Sequence, residues 1–249
     1  MNANQIYIST IDSNYSRLAN QYGFGVEIAQ FCTAWEIDSN FEKTDKEIRE
    51  NIADIPNRIY HAPFNELFPC AIDPLARQLA AYRYKQAIEL AKGYGAAKVV
   101  IHAGYHPKIY YPVWYTEQSV VFWKEFLKEN ADMEIVLENV LETEPQMWLD
   151  IVKGVDNPNF KLCMDIGHIN TYSDIPLEHW LEICVPYISH FHIHNNGKSH
   201  DTHNGLIDGS IDMKSFLQKA DKLCPGATYT LEVINCKTSA KWLFEEILK

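Results

Sequence analysis

A repeating unit runs along the whole chain and restricts the folds open to it. Each unit is a short β-like run, then a polar loop, then a helical pattern, and it occurs eight times in 249 residues. Strands that alternate with helices predict parallel βαβ units. Eight such units in about 250 residues is the size of a closed eight-stranded barrel. We therefore predict an α/β fold, a (β/α)8 TIM barrel, with residues 1–249 as a single domain.

The alternative to a closed barrel is a doubly wound open sheet. No GxGxxG motif follows the first β-like run, which weakens a dinucleotide-binding version of that sheet. The predicted strands are Gln5–Ser9, Phe24–Ile28, Asn57–His61, Lys98–His102, Glu134–Glu138, Phe160–Asp165, Ile188–His194 and Thr228–Glu232. The predicted helices lie near Tyr15–Tyr22, Asp45–Ile52, Leu75–Lys92, Glu117–Glu129, Pro145–Lys153, Leu177–Ile183, Met213–Leu223 and Ser239–Leu248.

Three sequence features indicate the cellular compartment of the protein: the N-terminal sequence, the cysteines and the charge. The chain starts without a basic segment followed by an apolar run, and no stretch approaches membrane-spanning length. The six cysteines are scattered and form no CxxC pair. With 22 basic and 33 acidic residues, the formal net charge is −11. These features predict a reduced, cytoplasmic protein without a membrane partner.

Residues that can ligate a metal follow or end six consecutive predicted strands. They are His61, His102, Glu138, Asp165 with His168, His192 and His194 with Asp201 and His203, and Glu232. In a parallel barrel the carboxyl ends of the strands meet at one face, where active sites are built. Imidazoles and carboxylates are ligands of zinc and manganese. Any one of these residues alone is more often a hydrogen-bonded structural group, but one shared metal site accounts for all of them.

The order of the motifs HAPF, IHAG, LEN, DIGH, HIHNN, DTH and LEV resembles the xylose-isomerase-like TIM-barrel superfamily. That superfamily contains endonuclease IV and many sugar isomerases and epimerases, and the resemblance runs from about Gly25 to Glu232. Its endonuclease IV branch implies three zinc ions held by nine ligands. By motif these are His61, His102, Glu138, Asp165, His168, His194, Asp201, His203 and Glu232. Its epimerase branch implies one metal held by Glu138, Asp165, a histidine of the seventh strand and Glu232.

The seventh-strand motif departs from the commoner family form. HIHNNGK is one residue shorter between its second histidine and its lysine, and Asn196 stands where an aspartate is usual. His192 and His194 therefore compete for the ligand position. We expect His194 to ligate because it lies nearer the carboxyl end of the strand. His192 is then expected behind the site or against the substrate.

The loops that follow the strands favour a neutral substrate over a polyanion. Their basic residues are Lys43, Lys108, Lys198 and Lys237, and their acidic residues are Asp12, Glu36, Asp38, Glu42, Glu66, Asp73, Glu142, Asp174 and Asp208. A surface that binds DNA usually needs basic residues against the phosphates, so nucleic acid is not expected as a partner. The loops are also aromatic, which suits the C–H faces of sugar rings. The residues expected to contact substrate are Glu27, Phe64, Tyr105, Trp114, His192 and Lys198.

Together these features predict an enzyme that isomerises or epimerises a sugar or sugar derivative. It would use one to three divalent ions, zinc or manganese, to stabilise an enediolate, and Glu138 and Glu232 would remove and return the proton. The main alternative, which the nine-ligand match favours, is a trinuclear zinc phosphodiesterase acting on abasic DNA. A non-catalytic metal-binding barrel is the third interpretation. A homo-oligomer is compatible with the sequence.

Overall fold

The computed structural model describes residues 1–248 and contains a closed barrel of parallel strands. The strands pair in chain order, and the last one pairs with the first to close the barrel. They are β1 (Ile6–Ser9), β2 (Gly25–Ile28), β3 (Arg58–His61), β4 (Lys98–His102), β5 (Glu134–Glu138), β6 (Phe160–Asp165), β7 (Ile188–Ile193) and β8 (Thr228–Leu231). The predicted (β/α)8 barrel is confirmed, and each strand lies within about two residues of its predicted bounds.

Helices follow the strands around the outside of the barrel. They are α1 (Tyr15–Tyr22), α2 (Ala34–Ser39), α3 (Phe41–Asn51), α4 (Pro74–Tyr94), α5 (Pro112–Phe126), α6 (Pro145–Val155), α7 (Ile166–Tyr172), α8 (Leu177–Cys184), α9 (Met213–Leu223) and α10 (Lys237–Glu246). Two short 3-10 helices lie at Ala3–Gln5 and Val185–Tyr187. No helix within residues 1–248 is long and apolar enough to cross a membrane.

Local capping chemistry sets the ends of several helices. Proline occupies the first turn of α4, α5 and α6, where its missing N–H costs no helical hydrogen bond. Helices α1 and α4 end at Gly23 and Gly95, whose φ angles of 70° and 66° lie in the left-handed region that glycine adopts without strain. At the start of α4, the Asp73 side chain accepts a hydrogen bond from the Leu75 N–H at 2.8 Å.

The helices differ from their predicted positions in four places. α2 and α7 were not predicted, α3 begins at Phe41 instead of near Asp45, and α5 begins at Pro112 instead of near Glu117. Because α5 begins early, Trp114 and Tyr115 lie in its first turns and not in the loop after β4. The prediction overlooked that a proline after a run of loop residues often marks the first position of a helix.

Side-chain alternation along the strands separates two apolar regions. A small cluster of Tyr7, Ile59, Val100, Val136 and Cys163 fills the inside of the barrel. The much larger core, which includes Phe191 and Ile193 of β7, lies between the strands and the helices. Because side chains alternate along a strand, His190 and His192 point to the barrel interior.

A polar cluster at the start of β4, β5 and β7 lies at the end of the barrel opposite the predicted ligands. The Lys98 ammonium lies 3.0 Å from Glu134 Oε1 and 3.1 Å from the Ser189 carbonyl oxygen. The Ser189 hydroxyl donates to the same Glu134 oxygen at 2.6 Å. This cluster joins three strands in a region remote from the predicted ligands.

Candidate metal centre

Three groups of ligand-capable side chains lie at the carboxyl ends of the strands. We name them the first group (His61, His102, Glu138), the central group (Glu138, Asp165, His192, Glu232) and the outer group (His168, His194, Asp201, His203). Within each group, one ligand atom from every residue lies within 4.8 Å of the others. All nine predicted ligands fall in these groups, and His192 joins them. A further trio, Cys163, His190 and His192, lies deeper in the barrel.

The first group has two imidazoles directed at one carboxylate. His61 Nε2 and His102 Nε2 each lie 3.4 Å from Glu138 Oε2. His61 Nδ1 donates to the Ala62 carbonyl oxygen at 2.9 Å, which leaves the Nε2 lone pair free to ligate. The Phe64 ring stacks on the His102 ring with centroids 4.3 Å apart. Phe64, a predicted substrate contact, thus covers a side chain of this group.

The central group brings two glutamates from different strands onto one histidine. His192 Nδ1 lies 3.3 Å from Glu138 Oε1 and 3.2 Å from Glu232 Oε2. These three atoms, and Glu138 Oε2, are buried and have no hydrogen-bond partner among the described residues. Buried carboxylate oxygens without a partner are costly. A divalent cation would satisfy all of them, so the residues fit a metal ion.

Below the central group, Glu27 fixes the orientation of His192. The carboxylate of Glu27 is fully buried, and its Oε2 lies 3.3 Å from His192 Nε2 and 3.2 Å from His190 Nε2. The same oxygen accepts from the Thr230 hydroxyl at 2.6 Å. His192 can therefore donate from Nε2 to Glu27 and offer Nδ1 to a metal, as in carboxylate–histidine–metal triads. Glu27 lies under the site, where its carboxylate contacts His190, His192 and Thr230, and its predicted role in substrate binding stays a prediction.

His192 and His194 occupy the opposite positions to those that we expected. His192, and not His194, lies beside Glu138 and Glu232, whereas His194 joins the outer group. The reason is geometric: β7 ends at Ile193, and the last inward-pointing side chain within the strand is His192. His194 follows the strand end, where it reaches Asp165 and Asp201.

The outer group is built on a carboxylate from the loop after β7. Asp201 Oδ2 lies 3.2 Å from His168 Nε2 and 3.0 Å from His203 Nε2. Backbone carbonyls accept from the other nitrogen of each ring, Asn139 O from His168 at 2.9 Å and Glu232 O from His203 at 2.8 Å. Both imidazoles therefore present Nε2 toward Asp201, the arrangement that a metal ligand needs.

Asn139 and α7 position the ligand candidates Asp165 and His168. Neither Asn139 nor α7 was predicted from the sequence. Asn139 Nδ2 donates to the Asp165 carbonyl at 3.0 Å, and its Oδ1 accepts from the Asp165 N–H at 2.9 Å. Asp165 is also the N-cap of α7, because its side chain accepts from the His168 N–H at 2.7 Å. The asparagine of the LEN motif and the Asp-x-x-His spacing of DIGH were the signals available in the sequence.

The histidines and carboxylates of these groups shift one another's pKa. Burial opposes ionisation of the Glu138 carboxyl, but His192 and His102 hold its pKa well below the usual value. Burial likewise opposes protonation of His203, yet its hydrogen bond to Asp201 raises its pKa to about 9. Burial lowers the pKa of His102 to about 4. A cation bound here would compete with protons for these side chains.

The remaining predicted substrate contacts are Tyr105, Trp114 and Lys198. Tyr105 is buried, and its ring packs on Tyr115 with centroids 4.8 Å apart. The Trp114 indole donates to the Cys70 carbonyl oxygen at 2.8 Å. Lys198 is exposed in the loop after β7, and its backbone N–H donates to Asn196 Oδ1 at 3.0 Å. These contacts explain how Tyr105 and Trp114 pack. Their role in substrate binding stays a prediction.

Solved structures with the same fold cover nearly the whole chain. A structure titled "Crystal structure of D-tagatose 3-epimerase-like protein" is 24% identical, with a TM-score of 0.78 over 98% of both chains. The TTHB071 protein of Thermus thermophilus, soaked with ZnCl2, is 19% identical, with a TM-score of 0.77 over 97% of this chain and 96% of that one. At these identities the likeness shows the fold.

Sequence relatives and a family model agree with that likeness. A protein of Methanocaldococcus jannaschii, "Uncharacterized protein MJ1311", is 30% identical over 207 residues, which are 77% of this chain and 68% of that protein. The family model described as "Xylose isomerase-like TIM barrel" matches residues 17–247. The resemblance read from the motifs is confirmed: the chain belongs to the xylose isomerase-like TIM-barrel family.

Proposed function

We propose that the protein is a divalent-metal-dependent isomerase or epimerase of a sugar or sugar derivative. The observation that carries the proposal is the central group, where Glu138 and Glu232 converge on His192 with buried, unpartnered oxygens. Family membership and the fold shared with a D-tagatose 3-epimerase-like protein support it. The proposed ligands of the catalytic ion are Glu138, Asp165, His192 and Glu232.

The proposed chemistry is a proton transfer next to a carbonyl group. A divalent ion in the central group would polarise the carbonyl and stabilise the negative charge that develops when the neighbouring carbon loses its proton. Glu138 ends β5 and Glu232 follows β8, so the two carboxylates approach the site from different strands. We propose that one removes the proton and the other returns it. Glu27 keeps the His192 ring in place, and Phe64 covers the first group.

The charge around the barrel mouth supports a substrate with little negative charge. Asp12 and Glu142, two of the nine acidic residues counted in the loops, are buried and hydrogen-bonded, so they add little to the exposed surface. Asp38, Glu42, Glu66, Asp73, Asp174 and Asp208 are exposed, against exposed Lys43, Lys108, Lys198 and Lys237. A surface of mixed charge with an acidic excess does not favour a DNA backbone.

The experiment is solvent-isotope exchange with a panel of ketoses. Metal-loaded protein in D2O is expected to place deuterium on the carbon next to the carbonyl of its substrate. Glu138→Gln and Glu232→Gln should each abolish exchange, whereas Glu144→Gln, at an exposed position in the loop after β5, should retain it. Exchange that is absent with every ketose tested, or that survives both substitutions, would contradict the proposal.

A second function, metal-dependent phosphodiester hydrolysis, is favoured by one observation. The outer group provides a third candidate ion site that a single-metal epimerase does not need. Incubation of the metal-loaded protein with abasic-site DNA tests it directly. Efficient incision that disappears in Glu138→Gln would establish the hydrolase in place of the isomerase.

A further inference from the structure

We propose that His194 is a fourth protein ligand of the outer group and that it closes this site against substrate. His168, Asp201 and His203 supply the other three ligands. A zinc ion held tetrahedrally by four protein side chains has no open position, whereas the ion of the central group, which also has four protein ligands, must take a further ligand to act on substrate. The inference rests on metal binding in the proposed function, but not on the identity of the reaction.

Two buried atoms without partners point at the place where the ion would lie. His194 is fully buried, and its Nδ1 has no hydrogen-bond partner among the described residues. It faces Asp201 Oδ1, which is likewise buried without a hydrogen-bond partner, at 3.7 Å. A lone pair and a carboxylate oxygen across this gap repel each other unless a proton or a cation lies between them.

The other ring nitrogen of His194 already has a hydrogen-bond partner. Nε2 lies 3.1 Å from both oxygens of Asp165, which can only accept a hydrogen bond while ionised. Donation from Nε2 fixes the tautomer and leaves the Nδ1 lone pair directed at the outer group. Because Asp165 also belongs to the central group, one carboxylate links the two sites.

Gly167 makes room for the His194 ring. A Cβ built on Gly167 would overlap three atoms of that ring, Cε1, Nδ1 and Nε2. On its other face the ring stacks on His203, with centroids 4.0 Å apart and an angle of 13° between the planes. The glycine between Asp165 and His168 thus admits the imidazole to a position that any larger residue would block.

A closed outer site would hold the loop after β7 in place. Asp201 and His203 lie in this loop, and His203 has a φ of 46°, in the left-handed region that non-glycine residues rarely adopt. The Asn195–Asn204 bridge holds the base of the loop, and the proposed ion would hold the segment from Asp201 to His203 that leads into this bridge. A zinc ion held there tetrahedrally by four protein ligands would have no open position for a phosphoryl oxygen, which argues against a three-metal hydrolase.

The test compares Co(II) and Zn(II) binding in the full chain with that in His194→Ala, Gly167→Ala and His200→Ala. His200 is an exposed histidine of the same loop and serves as the matched control. We expect His194→Ala and Gly167→Ala to weaken one metal equivalent by about tenfold or more and to lose intensity in the visible spectrum of four-coordinate Co(II). His200→Ala should match the parent protein in both.

Limited proteolysis of the loop gives a readout that does not depend on activity. Zinc should protect the loop in the parent protein and in His200→Ala, but not in His194→Ala, and circular dichroism of the metal-free variants shows whether each one folds. Unchanged stoichiometry, affinity and Co(II) spectrum in His194→Ala would overturn the inference, as would a parent protein that binds no metal. A parent protein that passes these tests but shows no isotope exchange would refute the proposed function alone.

Discussion

At the scale of single residues, we expect the proposed metal centre to depend most on Glu138. It belongs to both the first and the central group, and both of its oxygens are buried without a hydrogen-bond partner. Glu138→Gln removes the charge shared by two candidate sites, so we expect metal affinity to fall by more than about 100-fold. Titration of the metal-free protein by calorimetry measures this, with Glu144→Gln as the control. Full metal content in Glu138→Gln would contradict a bridging role.

We expect Glu27 to act on the proposed metal through His192 and not by touching substrate. Replacing it with glutamine removes the carboxylate that accepts from His192 Nε2. Substitutions of such orienting partners typically cost about 10-fold to 100-fold in metal affinity. We expect that loss in Glu27→Gln, with KM for the substrate changed less than kcat. A higher KM with normal metal affinity would instead support the predicted role of Glu27 in substrate binding.

At the scale of elements, the cluster at the start of β4, β5 and β7 makes stability depend on pH. Burial opposes ionisation of Glu134, but Lys98 and the Ser189 hydroxyl lower its pKa below the value of the unfolded chain. A lowered pKa adds stability above the unfolded-state pKa, and this is lost as the pH falls through the folded-state pKa. We expect Glu134→Gln to cost about 1–3 kcal/mol at pH near 7.

Denaturant unfolding of both proteins over a range of pH checks this dependence. The difference in unfolding free energy between the parent and Glu134→Gln should shrink as the pH falls below the usual range for a glutamate. A difference that stays constant from neutral to strongly acidic pH would show that Glu134 contributes through packing and not through its charge.

The elements also show what the sequence could and could not predict. Hydrophobic runs located all eight strands, because buried parallel strands need continuous apolar residues. Short helices such as α2 and α7 have too few residues for a periodic pattern, and α7 is fixed by the Asp165 cap. The position of His192 could not be predicted, because whether His192 or His194 enters the central group depends on where β7 ends, to within one residue.

At the scale of the whole molecule, the ligands were easier to predict than the number of separate sites. Ligand-capable residues recur at the ends of consecutive strands, so barrel geometry alone brings them together. Their division into three groups depends on side-chain reach, on the room left by Gly167 and on the path of the loop after β7. None of these can be read from spacing in the sequence.

Metal binding should stabilise the fold as a whole, because the proposed ligands come from strands β3 to β7, from α7 and from the segments after β7 and β8. A ligand that binds only the folded state at 100 times its Kd adds about 2.7 kcal/mol of stability. We therefore expect zinc or manganese to raise the melting temperature and a chelator to lower it. An unchanged melting temperature on chelation of metal-loaded protein would mean that the centre does not bind these ions under the conditions used.

The most direct test of the central claim assays one metal-loaded preparation for two reactions. The first is deuterium incorporation from D2O into ketoses, and the second is incision of abasic-site DNA. A metal-dependent isomerase or epimerase predicts incorporation at the carbon next to the carbonyl, lost on chelation and in Glu138→Gln, with no incision. Incision of the DNA without incorporation into any ketose would contradict the account.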